Sequence, residues 1–327
     1  MVWLHFFASS AVLVVAAIKM AQYGDVIAVR TRLGGMFIGV LLLAGATSLP
    51  EMLTMINSFR VSEPGLAAGN MFGSNMFNMF LLAILDLLNQ QARILRRVAM
   101  THALTAALGS AMIGLSVFFI LGDVDLTIGW MGVDSLILVL VYVGGIRLIQ
   151  QNGQASSTTV EMAAPRPVMP LGRALIGFLV ATGVLVAVTP YLVRSGDEIA
   201  QVTGLGAGFV GTFLLATVTS LPETVAVVAA ARMGAYDMAV GNLFGSNVFN
   251  MFALGVADIF YTPGRFLGAI DPAFALVGML GLLLTNLALI GNIARVERRL
   301  VFVEADALLI LLAYLASLVF LYIRGIG

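Results

Sequence analysis

Apolar residues come in runs of about 20, the helix length that crosses the hydrocarbon core of a bilayer, and short polar breaks separate the runs along most of the chain. The pattern predicts ten transmembrane helices, at about 2–22, 33–58, 66–90, 98–121, 127–149, 171–193, 205–231, 238–261, 269–291 and 301–324. One polar interruption is long, and its Gln, Ser, Thr and Pro content reads as a flexible linker. It separates an N-terminal five-helix half, 1–150, from a C-terminal five-helix half, 171–327, with the linker at 151–170. The first apolar run, Val2 to Ala21, has neither a basic start nor a clean small-residue cleavage site, so a retained helix is expected rather than a signal peptide.

The two halves repeat one another. Thr47-Ser48-Leu49-Pro50-Glu51 returns as Thr219-Ser220-Leu221-Pro222-Glu223. Gly69-Asn70-Met71-Phe72-Gly73-Ser74-Asn75-Met76-Phe77-Asn78 returns as Gly241-Asn242-Leu243-Phe244-Gly245-Ser246-Asn247-Val248-Phe249-Asn250. Glu51 and Glu223 lie 172 residues apart, as do Asn78 and Asn250. The same offset pairs Gly24-Asp25 with Gly196-Asp197, Asp86 with Asp258, Arg93 with Arg265, Asp134 with Asp306 and Tyr142 with Tyr314. Five spans per copy is an odd number, so the second copy enters the membrane with the opposite orientation. The expected fold is therefore all-α and integral to the membrane, with ten transmembrane helices in two inverted five-helix repeats and breaks in helices two and seven.

Composition supports the membrane setting: 60% of residues are hydrophobic and 10% charged, with a mean hydropathy of +1.03, whereas a soluble globule carries roughly 25% charged residues. Zero net charge and scattered basic residues leave no stripe for nucleic acid. Without cysteine there is neither a disulfide framework nor a thiolate metal site. His5 and His102 have no His-Glu-x-x-His context, so a membrane metalloprotease is unsupported. No enzymatic activity and no cofactor are expected; the partners are the lipid bilayer and small cations, and the functional unit is a monomer.

Arginine orients the chain, because short cytoplasmic loops are enriched in Lys and Arg. With the N-terminus outside, the inner side holds twelve arginines, 30, 32, 93, 96, 97, 147, 166, 173, 232, 295, 298 and 299, and the outer side four, Arg60, Arg194, Arg265 and Arg324. Lys19 lies in the inner half of the first helix. The expectation is a multi-pass protein of the plasma membrane, the inner membrane in a bacterium, with both termini outside and the linker inside.

The repeated blocks carry the chemistry. Pro50 and Pro222 lack an amide hydrogen and clash with the preceding turn, so they open their helices and release carbonyls of residues such as Ala46, Thr47, Val218 and Thr219. A carboxylate beside each break costs about 2.5–3.5 kcal/mol on insertion scales unless it lines a protected polar cavity. A hard cation answers both demands, since Ca²⁺ takes about six to eight oxygens at roughly 2.3–2.6 Å. The candidate ligands are Glu51, Glu223, the hydroxyls of Thr47, Ser48, Thr219 and Ser220, and backbone carbonyls at the two breaks. Gly73-Ser74 and Gly245-Ser246 permit close helix approach, and Asn78 and Asn250 follow Ser74 and Ser246 by one turn on the same face. One such Gly-Ser-Asn run also describes a packing seam; its presence twice beside two Pro-Glu breaks favours ligands. The remaining carboxylates have structural readings: Asp134 and Asp306 cap helices five and ten, while Asp86, Asp258, Asp25 and Asp197 lie near helix ends at the interface.

The blocks resemble the alpha repeats of the calcium/cation antiporter superfamily, most of all its sodium/calcium exchanger branch and the bacterial and archaeal relatives. Alpha-1 corresponds to about 39–82 and alpha-2 to about 211–254. The resemblance implies an alternating-access exchanger that uses the Na⁺ gradient to expel Ca²⁺. It further implies that Glu51 and Glu223 form the central calcium site, and that Ser, Thr and backbone oxygens of helices two, three, seven and eight form flanking sodium sites. Some prokaryotic relatives have Asp where Asn250 stands, so this site carries at most two negative charges. The linker is too short for the cytosolic calcium-sensing domains of animal exchangers. Proton or potassium coupling is the nearer alternative, because both glutamates can carry protons; a cation channel is the more distant one.

Overall fold

The computed structural model describes residues 1–31, 45, 47–89, 94, 99–153, 169–294, 299–300 and 303–325. Hydrocarbon offers backbone amides and carbonyls no partner, so a chain this apolar closes its hydrogen bonds inside helices. In chain order these are α1 Val2–Thr31, α2 Leu49–Ser58, α3 Pro64–Leu88, α4 Ala99–Gly122, α5 Val133–Gly153 and α6 Leu171–Thr203. There follow α7 Ala207–Thr219, α8 Leu221–Arg232, α9 Tyr236–Ala257, the short α10 Phe266–Ala269, α11 Phe274–Ala294 and α12 Ala305–Arg324. Two antiparallel hairpins of two-residue strands precede α5 and α12: β1 Thr127–Ile128 with β2 Met131–Gly132, and β3 Arg299–Leu300 with β4 Val303–Glu304.

Among the described residues seven helices are long and apolar enough to cross a membrane, and eight if the bent pair α7 and α8 is one span. The protein is thus an all-helical, multi-pass membrane protein. The start of the expected second helix, 33–44, lies outside the described residues, as does Ala46, so α2 represents only the part after Pro50's break. Most of the linker, 154–168, also lies outside them.

Several expected boundaries are corrected. Helix α1 continues to Thr31 and α6 to Thr203, well past the expected ends at 22 and 193. Hydropathy marks where the bilayer core ends, not where a helix ends. Asp25 and Asp197 consequently fall inside helices, and Asp197 accepts a hydrogen bond from Gln201 one turn on at 3.1 Å. Expected helix nine starts later, at Phe274, where Asp271 Oδ1 accepts from the amide of Ala273 at 2.7 Å.

Burial sorts the helices into inner and outer members. In α3 and α9, which carry the repeated Gly-Asn blocks, 78% of the most apolar window is buried, against 17% in α6. The α1 and α6 helices pack along one another as an outer pair, with Leu4, Phe7, Val15, Ile176, Leu179 and Val180 exposed as a lipid-facing surface requires. The α4 and α11 helices flank the inner pair, α5 packs on α9, and α12 on α3. Two ring stacks tie the last contacts: Tyr142 on Phe252 with centroids 4.3 Å apart, and Tyr314 on Phe80 at 4.6 Å. The stacked residues correspond under the 172-residue offset.

Asp258 and Asp86 lie at or near helix ends, as expected, and both are buried. The Asp258 carboxylate accepts from the amides of Gly132, at 2.5 Å, and Phe266, at 2.6 Å, fastening the β1–β2 hairpin to the connection after α9. Asp134 and Asp306 are not the caps expected: each is the second residue of its helix, accepting from the next amide, that of Ser135 at 2.7 Å and Ala307 at 3.0 Å. Asp134 also accepts from Arg265 Nη1 at 2.7 Å, and Arg265 pairs with Asp123 as well. Burial works against the charge of Arg265, but the bonds and charges of Asp134 and Asp123 outweigh it and hold its pKa above the ordinary arginine value.

Candidate cation site

The two Pro-Glu blocks fold alike. Ser48, at φ −89° and ψ 7°, and Ser220, at φ −87° and ψ 6°, each lie just outside a helix whose first turn contains Leu, Pro and Glu. Proline suits that position because its missing amide hydrogen is one that no helix start uses. The glutamate then sits where unpaired amides and the helix dipole favour a carboxylate. Helices α7 and α8 meet at Ser220 with a bend of 43°, which is the break expected near Pro222. Before it, residues Val210–Leu215 form a π turn, a local widening often found at functional sites.

Glycine lets the π turn press on α3. A Cβ at Gly73 would stand 2.3 Å from the carbonyl oxygen of Thr212, and one at Gly211 would stand 2.8 Å from that of Leu66. The small residues of the block therefore serve the close approach that the sequence suggests.

Across the breaks the contacts are reciprocal. Ser48 Oγ donates to Glu223 Oε1 at 3.1 Å, and Ser220 Oγ donates to Glu51 Oε1 at 3.1 Å. Thr219 Oγ1 donates to Asn70 Oδ1 at 3.1 Å, and Asn70 Nδ2 donates to the carbonyl of Glu51 at 3.3 Å. Glu51, Glu223, Thr47, Ser48, Thr219 and Ser220 are thus brought together and are all buried. Val218 is half-buried, and the Ser220 amide reaches the carbonyls of both Ala216 and Val218. Ala46 lies outside the described residues.

Ser74 and Asn78 on α3, and Ser246 and Asn250 on α9, are also buried. No hydrogen bond joins them to either carboxylate among the described residues. Their oxygens are instead left over: Glu51 Oε2, Glu223 Oε2, Ser74 Oγ, Ser246 Oγ, Asn78 Oδ1 and Asn250 Oδ1 are all buried without a hydrogen-bond partner. Each such atom costs about 1–3 kcal/mol, more when charged, and a cation is the kind of ligand such oxygens can hold. Among the described residues no three His, Cys, Asp or Glu converge. The donor set is two carboxylates with neutral hydroxyl and amide oxygens, which suits Ca²⁺ or Na⁺ and not a softer transition metal.

Asn75 and Asn247 are not among the candidate ligands expected from the blocks, yet they join the two copies. Asn78 Nδ2 donates to Asn247 Oδ1 at 2.9 Å, and Asn250 Nδ2 donates to Asn75 Oδ1 at 3.0 Å. Their identity in both copies of the block was the available signal. Thr212, buried with an unpaired hydroxyl, is not among those candidates either; its repeat counterpart is Val40, so duplication gave no hint of it.

A multi-pass helical protein with a buried, oxygen-lined polar centre belongs among membrane transporters. The family profile described as sodium/calcium exchanger protein matches residues 1–148 and 173–323, so the chain belongs to that family, one of cation exchangers and not of enzymes. CaxA of Alkalimonas amylolytica, a protein named for antiport, is 28% identical over 288 residues, covering 83% of this chain and 85% of that one. Among solved structures, the H⁺/Ca²⁺ exchanger CAX superposes with a TM-score of 0.70 at 14% identity, over 99% of this chain and 85% of that one. The sodium-calcium exchanger NCX_Mj superposes with a TM-score of 0.58 at 21% identity, over 98% and 99%. At these identities the two structures speak to the fold.

Proposed function

We propose that the protein is a sodium/calcium antiporter working by alternating access, in which Ca²⁺ and Na⁺ compete for one buried site and the Na⁺ gradient drives Ca²⁺ out of the cell. The observation that carries this reading is the matched set of six unpaired buried oxygens on Glu51, Glu223, Ser74, Ser246, Asn78 and Asn250. The ligand set adds Thr47, Ser48, Thr219 and Ser220, with carbonyls of Ala46 and Val218 at the breaks. The two glutamates neutralise one Ca²⁺ or two Na⁺, so the two cargoes exclude one another by charge. Exclusion of that kind couples their movements without requiring both at once.

The reading includes ten spans in two inverted halves, 1–150 and 171–327, joined by a cytoplasmic linker, with both termini outside. Reciprocal Ser48–Glu223 and Ser220–Glu51 contacts support a two-fold relation between the halves, and twelve inner arginines against four support the orientation. No cofactor takes part; the partners are lipid and the transported cations, and a single chain holds a complete ligand set.

A second reading, proton coupling, uses the same site. Two neighbouring buried carboxylates can take up protons as Ca²⁺ leaves, in place of Na⁺. Calcium uptake into vesicles reconstituted with the purified protein, under imposed Na⁺, K⁺ or H⁺ gradients in turn, decides between them. Uptake driven by outward Na⁺ alone is the expected result, and uptake driven only by H⁺ or K⁺ overturns sodium coupling. Flux that neither saturates nor needs a counter-ion would mark a channel.

A further inference from the structure

We infer that Asn247 is a positioning residue, turning Asn78 of the opposite repeat so that its amide oxygen, and not its NH₂, is offered to the cation. This rests on the cation site proposed above. Four amides line the seam between α3 and α9, and in the Asn247–Asn78 pair the hydrogen bonds have a fixed direction. The carbonyl of Asn75 can only accept, and Asn247 Nδ2 donates to it at 3.4 Å. Asn247 therefore presents its Oδ1 to Asn78. Asn78 answers with Nδ2 at 2.9 Å, which leaves Asn78 Oδ1 on the other side of the amide, buried and unpaired. In the mirrored pair, Asn75 Oδ1 receives Asn250 Nδ2 at 3.0 Å and leaves Asn250 Oδ1 unpaired.

An amide is ambiguous as a cation ligand, because rotation by half a turn replaces its oxygen with a pair of hydrogens carrying positive charge. In the low-dielectric interior either face is electrostatically strong, so the wrong one repels the ion. Asn78 turned over would set its oxygen against Asn247 Oδ1, and that clash of acceptors is what holds the productive orientation. Because the orienting group lies on the other repeat, Asn78 stays aimed only while α3 and α9 keep their register. All four side chains are buried.

A double-mutant cycle tests the assignment in the reconstituted full chain, reading the apparent KM for Ca²⁺, the maximal rate and the thermal unfolding midpoint of Asn78→Ala, Asn247→Ala and the double variant. Each single substitution is expected to raise KM about tenfold, the effect of one lost or misdirected neutral ligand. The double variant is expected to be no worse than Asn78→Ala, because Asn247 has nothing left to orient. Multiplied effects overturn the inference, as does an Asn247→Ala protein that melts earlier at unchanged KM. Should Asn78→Ala leave KM unchanged, the cation site itself is misplaced and the inference falls with it. Should Asn247→Ala fail to fold, Asn247→Leu, which removes the acceptor while filling the space, reads the same outcomes in the cycle with Asn78→Ala.

Discussion

Ser48 donates to the carboxylate of Glu223 at 3.1 Å, so the residue before one helix break steadies the charge beside the other. Ser220 does the same for Glu51 at the same distance. A hydrogen bond to a charged group contributes about 1.5–3 kcal/mol. Ser48→Ala and Ser220→Ala are therefore each expected to weaken apparent Ca²⁺ affinity on the order of tenfold or more, and by similar factors because the contacts are equivalent. Calcium uptake at graded Ca²⁺ concentrations measures both; a large effect of one alone would show that the halves do not share the load.

Glu51→Gln and Glu223→Gln keep the side-chain shape and one oxygen but remove a charge. Each is expected to abolish most calcium exchange while the protein still inserts and elutes as a folded species from size exclusion. Exchange at the parent rate by either purified variant would show that the carboxylates are not at the transport site.

Gly73 is where α3 meets the π turn, and a methyl group there would stand 2.3 Å from the backbone oxygen of Thr212. Backbone cannot swing aside as a side chain does, so Gly73→Ala is expected to destabilise by about 1–3 kcal/mol or more. Gly183→Ala in α6 is the matched control, with nothing within 4 Å of the new carbon and a helix-propensity gain of roughly 0.5–1 kcal/mol. Unfolding midpoints in detergent that fall for Gly183→Ala and hold for Gly73→Ala would contradict the packing described.

What the sequence made legible follows from what lipid forbids. A proline beside a carboxylate in an apolar run has few bland explanations, so Pro50-Glu51 and Pro222-Glu223 stood out. The seam amides were harder to read, because an asparagine in a membrane helix serves equally as ligand or as interhelical bond. Only the direction of the hydrogen bonds separates Asn78 from Asn247. The burial of Asp258 was not legible at all, since its partner Gly132 lies 126 residues away. Arg265, counted as an outer-loop charge, is in fact nearly enclosed for the same reason: its partner Asp134 is 131 residues distant.

Arg265 has a measurable consequence outside transport. Its side chain is 6% exposed and that of Asp134 0%. Removing one partner of a buried ion pair costs roughly 3–5 kcal/mol, because the other charge stays behind in a poor solvent. Arg265→Ala is expected to lower the unfolding midpoint clearly, and Arg265→Ala combined with Asp134→Asn to recover part of the loss. An additive pair would show that the two residues contribute separately.

Asn250→Asp probes what a neutral amide means at this position. Asn250 donates through Nδ2 to Asn75 Oδ1 at 3.0 Å, and aspartate cannot. Asn75 has an unpaired Nδ2, however, so its own amide can turn over and donate to the new carboxylate. The variant is therefore expected to fold and to bring a third carboxyl to the site. A carboxylate binds Ca²⁺ only when deprotonated, so protons compete for the added group and transport should be lost at a higher pH than in the parent as the medium is acidified. Asn250→Ala removes an oxygen without adding a titrating group, and should weaken Ca²⁺ affinity by a similar factor across the whole pH range. Exchange measured over a pH series at fixed Na⁺ and Ca²⁺ gradients distinguishes the three proteins. Superimposable profiles for parent and Asn250→Asp would mean that position 250 does not face the cation, and Asn78, its counterpart under the repeat, would lose its assignment too.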